Sequence, residues 1–283
     1  MSEENRYHKI QIYSRSEFDS FRNEVIGERR SCEKELALKC AEKGFVKVPG
    51  FCEVCGKKTQ FQLDFLYSDG ATPNFRERLV CPKCSLNNRQ RYTVSTVLKG
   101  YQPGKKIYMY EQITSVFRAI QSRVGAGNVV GSEYISYGLM SGTKVNGILH
   151  EDAEALSFPS ESFDVIVSCD VFEHVNDYKK CFAEAVRVLK PDGKMYLSVP
   201  FNPNQQNNHR RAEIVKGKLL HYDEPVYHGN PMSEEGSLAF WDYGWDMLDD
   251  LRVSGFSDVY IQPYYSEKCG YLGDIPHIFV AIK

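Results

Sequence analysis

Residues 163–200 constrain the fold more than any other stretch of the chain. FDVIVS at 163–168 is apolar and rich in β-branched residues, the mark of a strand buried on both faces. A helical pattern follows at 177–189, with Val175, Phe182, Val186 and Leu189 on one side. Lys190-Pro191-Asp192-Gly193 then supplies a stop and a turn within four residues. KMYLSVP at 194–200 is the next buried strand. Strands alternating with helices indicate a parallel sheet with helices on both faces.

The alternation extends in both directions. Strands are expected at 106–110, 128–132 and 147–150, and helices at 113–122 and at 244–254, the latter closed by Gly255. The last two strands, 258–262 and 277–282, are joined by a loop without helical pattern. A parallel pair would need a crossover, so an antiparallel hairpin at one edge is expected. Three domains follow from this reading: a charged helical segment at 1–48, a cysteine-bearing module at 49–100 and an α/β domain at 101–283.

The middle module carries Cys52-x2-Cys55 and Cys81-x2-Cys84, with 25 residues between the pairs. Two short turns of this kind can aim four thiolates at one point, the donor set of a tetrahedral structural Zn2+. Gly56 suits the bend of a metal knuckle. A four-cysteine iron–sulfur cluster is the rival metal reading. Cys32, Cys40, Cys169, Cys181 and Cys269 have no such spacing and read as packing residues. Arg89 and Arg91 follow the second pair on what reads as a solvated face, with a phosphate contact as the rival reading.

Composition limits the partners. Thirty-five Lys and Arg against 37 Asp and Glu leave a net charge of −2, so the chain has no global electrostatic footprint for nucleic acid. No apolar run approaches the length of a membrane span, and the start MSEENRYHKI is polar rather than signal-like. A cytoplasmic protein is expected, with its nine cysteines as thiols or metal ligands.

Residues 148–201 carry a more specific pattern. It comprises an acidic-Ala dipeptide before Leu-x-Phe, then FDVIVSCDVFEHV, then RVLKPDGKMYLSVP. Together these resemble the class I S-adenosylmethionine-dependent methyltransferases of the type 11 branch, closely at about 148–201 and in outline from 105 to 283. The resemblance implies a Rossmann-like, seven-stranded methyltransferase sheet, mostly parallel with the last strand antiparallel, preceded here by the small zinc-ribbon module. It implies S-adenosylmethionine as cofactor beside the structural Zn2+.

Ligands of open α/β sheets sit outside the carboxyl ends of the strands. At that edge the resemblance assigns Glu133 to the ribose diol, with Tyr134 beside it. It assigns Asp152, with the Ala153 backbone, to the adenine amino group. Asp170 falls near the methionine end, with capping of the following turn as the rival reading, and Phe172 follows it in the same cofactor-binding segment. The family's glycine-rich first loop is missing: the corresponding stretch is IYMYEQITSVFRAI, without a glycine. Glu111 then resembles a replacement for the acidic group of that loop, Gln112 lies beside it, and Thr114 is placed to cap the next helix. A chain with bulkier residues must sit farther from its ligand.

Two histidines compete as base. His174, in Phe172-Glu173-His174-Val175, follows the fourth strand. His228 lies in 227–231, which resembles a Tyr-His-Gly-Asp-Pro stretch of methyltransferase-like proteins associated with surface glycans. The long, aromatic and His-rich connection 201–243 reads as acceptor surface, with His209, Arg210 and Arg211 able to meet an anionic acceptor. The leading expectation is O-methylation of a sugar, glycan or related small-molecule hydroxyl. The alternatives are an RNA methyltransferase that grips its substrate with the ribbon, and a non-catalytic binding protein on a methyltransferase-like fold.

Overall fold

The computed structural model describes residues 10–68, 70–230 and 232–283, so the first nine residues of the polar start and Pro231 of the 227–231 stretch lie outside the described residues. The chain forms two compact units. The first combines the described residues up to Tyr101 with Ile261–Ile278, and the second combines Gln102–Tyr260 with Phe279–Lys283.

The first unit opens with helix α1 (Arg15–Lys43). Ser14 caps it by accepting from the Glu17 N–H, and the Glu17 carboxylate accepts from the Tyr13 N–H in return. Phe18 and Val25 bury one side of α1, while Leu38 faces out. Strands β1 (Phe45–Cys52) and β2 (Lys57–Asp64) pair antiparallel from Phe45↔Asp64 to Cys52↔Lys57. The connection between them holds the first cysteine pair. Gly56 closes it at φ +65°, where a Cβ is disfavoured, and its N–H bonds the Cys52 carbonyl at 2.8 Å. Helix α2 (Asn88–Gly100) starts from a reciprocal capping box between Asn87 and Gln90.

The structure corrects the reading of Arg89 and Arg91 as a solvated face, since both are buried in α2. Arg89 binds the Glu77 carboxylate through two nitrogens, at 3.2 and 3.1 Å. Arg91 donates to the carbonyls of Cys269, Leu79 and Gly270 and lies 3.9 Å over the Phe61 ring. Both arginines organise the first unit from inside, because carbonyls and a ring face satisfy a guanidinium as water would.

Most of the central sheet belongs to the second unit. Strands β3 (Ile107–Met109), β4 (Val129–Gly131), β7 (Phe163–Cys169), β8 (Leu189–Ser198), β15 (Asp258–Pro263) and β16 (His277–Ile282) stand in the order β15-β16-β8-β7-β3-β4. The pairs β3–β4, β3–β7 and β7–β8 are parallel, and β16 runs antiparallel to β8. Helices α3 (Ser115–Val124), α4 (Tyr178–Val188) and α5 (Asp246–Val253) lie in the intervening connections. The chain steps from β3 to one side, into β4, and later to the other side, into β7. The switch point therefore lies between β3 and β7.

This mixed, mostly parallel sheet is of the expected type, with six strands in place of seven. Residues 147–150 do not join it. Strand β6 (Ile148–Leu149) instead pairs antiparallel with β5 (Lys144–Val145), leaving one parallel bridge, Glu133↔His150, beside β4. Gly147 and Asn146 both take positive φ, so a tight turn directs β6 back onto β5. Strand β8 also starts earlier than expected: Lys190-Pro191-Asp192-Gly193 lies within it, as an irregular stretch with a register shift against β7.

The connection 201–243 folds into short antiparallel ribbons. Strands β9 (His209–Arg210) and β14 (Trp241–Asp242) pair at its base. The hairpins β10 (Ala212–Val215) with β11 (Lys218–His221), and β12 (Tyr227–Asn230) with β13 (Ser233–Leu238), rise from it. No helix among the described residues is long and apolar enough to cross a membrane.

Candidate functional site

Two chemically distinct clusters stand out, one in each unit. In the first unit the sulfurs of Cys52 and Cys84 lie 3.8 Å apart, and those of Cys55 and Cys81 lie 3.9 Å apart. All four fall within 4.8 Å of one another. With Zn–S bonds of about 2.3 Å, a tetrahedron has edges of about 3.8 Å. The donor set thus has the dimensions of a four-thiolate site. Its protonation makes the same point. The bond from the Cys84 thiol pulls Cys52 down to about 5, while burial pushes Cys55 up to about 11 and Cys84 is raised by its bond to Cys52. One thiolate is accommodated at the expense of its neighbours, and four together need a cation.

In the second unit Glu111 and Gln112, Glu133, and Asp170 follow the carboxyl ends of β3, β4 and β7 respectively. Glu133, just past β4, accepts from the backbone N–H groups of Gln112 and Ile113 at 2.7 and 3.0 Å, both on the same oxygen. The Gln112 side chain donates to the Gly147 carbonyl at 3.2 Å and accepts from the Leu149 N–H at 2.9 Å. Thr114 caps α3 by accepting from the Phe117 N–H. The glycine-free first loop is thereby held by a carboxylate.

A glycine one strand away lets the first loop and α3 pack closely on the sheet. A Cβ on Gly131 would lie 2.5 Å from the Glu111 carbonyl oxygen and 2.5 Å from the Phe117 ring. Glu111 itself is buried. The signal was present in the sequence as the glycine of NVVGSE, one strand away from where a glycine was expected.

Around Glu133 the 134–155 segment is ordered by His150, which is fully buried. Its Nε2 donates to the Leu139 carbonyl at 3.1 Å, and its Nδ1 accepts from the Ile135 N–H at 3.0 Å. The carbonyl fixes which nitrogen bears the proton. Tyr134 is half exposed, with its ring 5.3 Å from that of His150. Asp152 accepts from the Glu154 N–H, its own N–H donates to Ser141, and Ala153 is buried beside it.

Asp170 ends β7 at φ +54°, an unusual conformation for a residue with a Cβ. It is pinned there by two bonds to Ser198, one from each partner's donor. Phe172 stands apart from the other candidates: its ring is fully buried against Tyr110 and Phe182. Its carbonyl accepts from the Tyr243 hydroxyl at 2.7 Å.

The turn after Asp170 builds the second cluster. His174 Nδ1 lies 2.8 Å from the Leu238 carbonyl, so that nitrogen bears the proton and Nε2 the lone pair. His174 Nε2 meets His228 Nδ1 at 3.3 Å. Glu173 Oε1 lies 3.7 Å from the first of these nitrogens and 3.6 Å from the second. Both predicted histidines are therefore in one place, joined by a residue the sequence reading passed over. Its signal was the Glu beside His174 in VFEHV.

Glu173 is fully buried. Burial pushes its carboxyl up, and the Asp170 charge adds to this, while the two imidazoles work against it. The β12–β13 hairpin carries His228 to this place, anchored where the Phe240 N–H donates to the Glu173 carbonyl at 2.7 Å. His209, Arg210 and Arg211, the expected anion contacts, are engaged within the unit. His209 meets Asp223 at 2.6 Å, Arg210 meets Glu213 and stacks on Trp241, and Arg211 meets Asp242 at 2.7 Å.

Residues 114–197 match the methyltransferase domain family. Over that stretch the second unit is similar to methyltransferase domains. The match runs from the cap of α3 to the end of β8, across the carboxyl ends of β4 and β7. Among curated proteins, the uncharacterized methyltransferase YcgJ of Bacillus subtilis is 41% identical over 51 residues, which make up 18% of this chain and 20% of that protein. The chain thus matches about a fifth of the length of that relative. Two solved structures are more distant. An S-adenosylmethionine-dependent methyltransferase from Mesorhizobium loti is 18% identical, with 68% of this chain and 98% of that one covered at a TM-score of 0.42. The 1,6-didemethyltoxoflavin-N1-methyltransferase of Burkholderia thailandensis is 11% identical, with 69% and 78% covered at a TM-score of 0.41.

Proposed function

We propose that this protein is an S-adenosylmethionine-dependent methyltransferase that methylates a hydroxyl of a sugar or a related small molecule. The observation that carries the reading is the Glu173–His174–His228 cluster following β7, on the same strand ends as Glu133 and Asp170. A neutral hydroxyl is a poor nucleophile and needs a base, whereas an unprotonated amine attacks through its own lone pair. When bound, S-adenosylmethionine supplies an electrophilic methyl group on a sulfonium.

The residues of the chain do the rest. Glu133 closes the first loop and offers its carboxylate to a vicinal diol. Asp152 and the Ala153 backbone would hold the adenine, and Glu111 and Asp170 would supply negative charge for the ammonium and sulfonium groups. The His228 imidazole takes the acceptor's proton, and the buried Glu173 carboxylate holds the imidazolium that forms. His174, tied to the Leu238 carbonyl, keeps His228 oriented. The exposed Tyr222 and Tyr227 of the ribbons offer ring faces on which a sugar can stack. The four cysteines of the first unit hold a structural Zn2+.

The test is calorimetric titration with S-adenosylhomocysteine, followed by a screen of nucleotide sugars and glycans with S-adenosylmethionine. Cofactor binding with methylated sugar as product is expected. Binding with methyl transfer only to amines or RNA would refute the acceptor assignment.

A further inference from the structure

We infer that Glu173, His174 and His228 form a second metal site, one that takes a divalent first-row transition ion such as Zn2+. Three donor atoms converge: Glu173 Oε1, His174 Nε2 and His228 Nδ1. Their separations are 3.3, 3.6 and 3.7 Å. Nitrogen and oxygen donors bound at about 2.05 Å to a tetrahedral ion lie about 3.3 Å apart. One edge already has that length, and the other two reach it by closing a few tenths of an ångström.

The chemistry of the donors agrees with the geometry. Two imidazoles and one carboxylate are a common donor set for catalytic ions, with a position left for water or substrate. His174 has the outer partner that such a ligand needs: its Nδ1–H donates to the Leu238 carbonyl, which turns the Nε2 lone pair toward the cluster. Glu173 gives an independent observation. It is fully buried, and its carboxylate is approached by the two imidazole nitrogens only at 3.6 and 3.7 Å, longer than a good hydrogen bond. A carboxylate in that position is costly unless a cation faces it.

The ligand is therefore a divalent ion of intermediate softness, and its open position takes an oxygen: water or the acceptor hydroxyl. The inference rests on the geometry of the three residues and holds whether or not the protein methylates sugars. With the ion bound, activation of the hydroxyl passes from the imidazole to the metal, which lowers the proton affinity of a bound oxygen.

Cobalt(II) tests this directly, because its spectrum separates the two sites. The full-length protein is stripped of metal under reducing conditions and titrated with Co2+. Two equivalents are expected. One brings the thiolate-to-cobalt charge-transfer band of the cysteine site; the other brings d–d absorption without it. His228→Ala and Glu173→Gln should each weaken the second phase by at least about tenfold and leave the thiolate band unchanged. Cys84→Ser should do the reverse. His228 is partly exposed, so His228→Ala decides the matter should Glu173→Gln unfold, with circular dichroism as the check. Wild-type protein showing only the thiolate phase, or a second phase unaltered in His228→Ala, would overturn the inference.

Discussion

Removing the Glu133 carboxylate should open the first loop and weaken cofactor binding far more than it lowers global stability. One oxygen of Glu133 accepts from two backbone N–H groups, at 2.7 and 3.0 Å. Hydrogen bonds to a charged acceptor contribute about 1.5–3 kcal/mol each. Because the two share one oxygen, the lower figure applies, giving about 3 kcal/mol for the pair. That is roughly a 150-fold change in an equilibrium constant.

In Glu133→Ala the two amides return to water as the loop loosens, so the loss is local and the melting temperature moves little. The loop that should sit against the cofactor is then rarely closed. Calorimetry should give an S-adenosylhomocysteine Kd on the order of 100-fold weaker than wild type. Glu133→Gln keeps an acceptor oxygen without the charge, and about half of the 3 kcal/mol remains, for a loss of roughly tenfold. A Kd for Glu133→Ala within about threefold of wild type would refute the reasoning, since it would mean that the loop closes without its carboxylate.

Three further outcomes follow from other parts of the structure. Gly131→Ala places a Cβ against the Glu111 carbonyl and the Phe117 ring, and should cost about 1–3 kcal/mol by denaturant unfolding, with weaker cofactor binding. His277 is part-buried, and its desolvation pulls it down from 6.5 to about 4, so the folded state binds fewer protons than the unfolded chain between those values. Its contribution is intact above pH 6.5 and lost as pH falls toward 4, by about 3 kcal/mol; unfolding titrations should show this slope, flattened in His277→Gln. Chelation or Cys84→Ser should loosen the first unit. Hydrogen exchange should then rise first at β1 and β2, and unchanged exchange there would argue against a metal at the four cysteines.

The sequence made the mostly parallel sheet legible because FDVIVS and KMYLSVP are long apolar runs flanking an amphipathic helix. The seventh strand was misread because two or three apolar residues at 147–150 suit a strand in any pairing. The turn at Asn146-Gly147, which sends them to β5, leaves little trace in hydrophobic pattern. Arg89 and Arg91 were misread for a similar reason. Their partners, Glu77 and the carbonyls of Cys269 and Gly270, are distant in sequence, so burial of the charges could not be seen locally. The site divides the same way. The cysteine spacing is local and readable, whereas the meeting of His174 with His228 depends on the β12–β13 hairpin, 54 residues further along the chain. Glu173 was hidden beside a more conspicuous histidine.

The central claim is methyl transfer to a hydroxyl, and the most direct measurement follows the label. The purified protein would be incubated with S-adenosylmethionine carrying an isotopic methyl group and with a pool of nucleotide sugars and glycans, beside Glu133→Ala and His228→Ala. The account predicts label in a product stable to alkali, as a methyl ether is and a methyl ester is not, with incorporation lost in both variants. Tight S-adenosylhomocysteine binding with no label in any sugar fraction would contradict it.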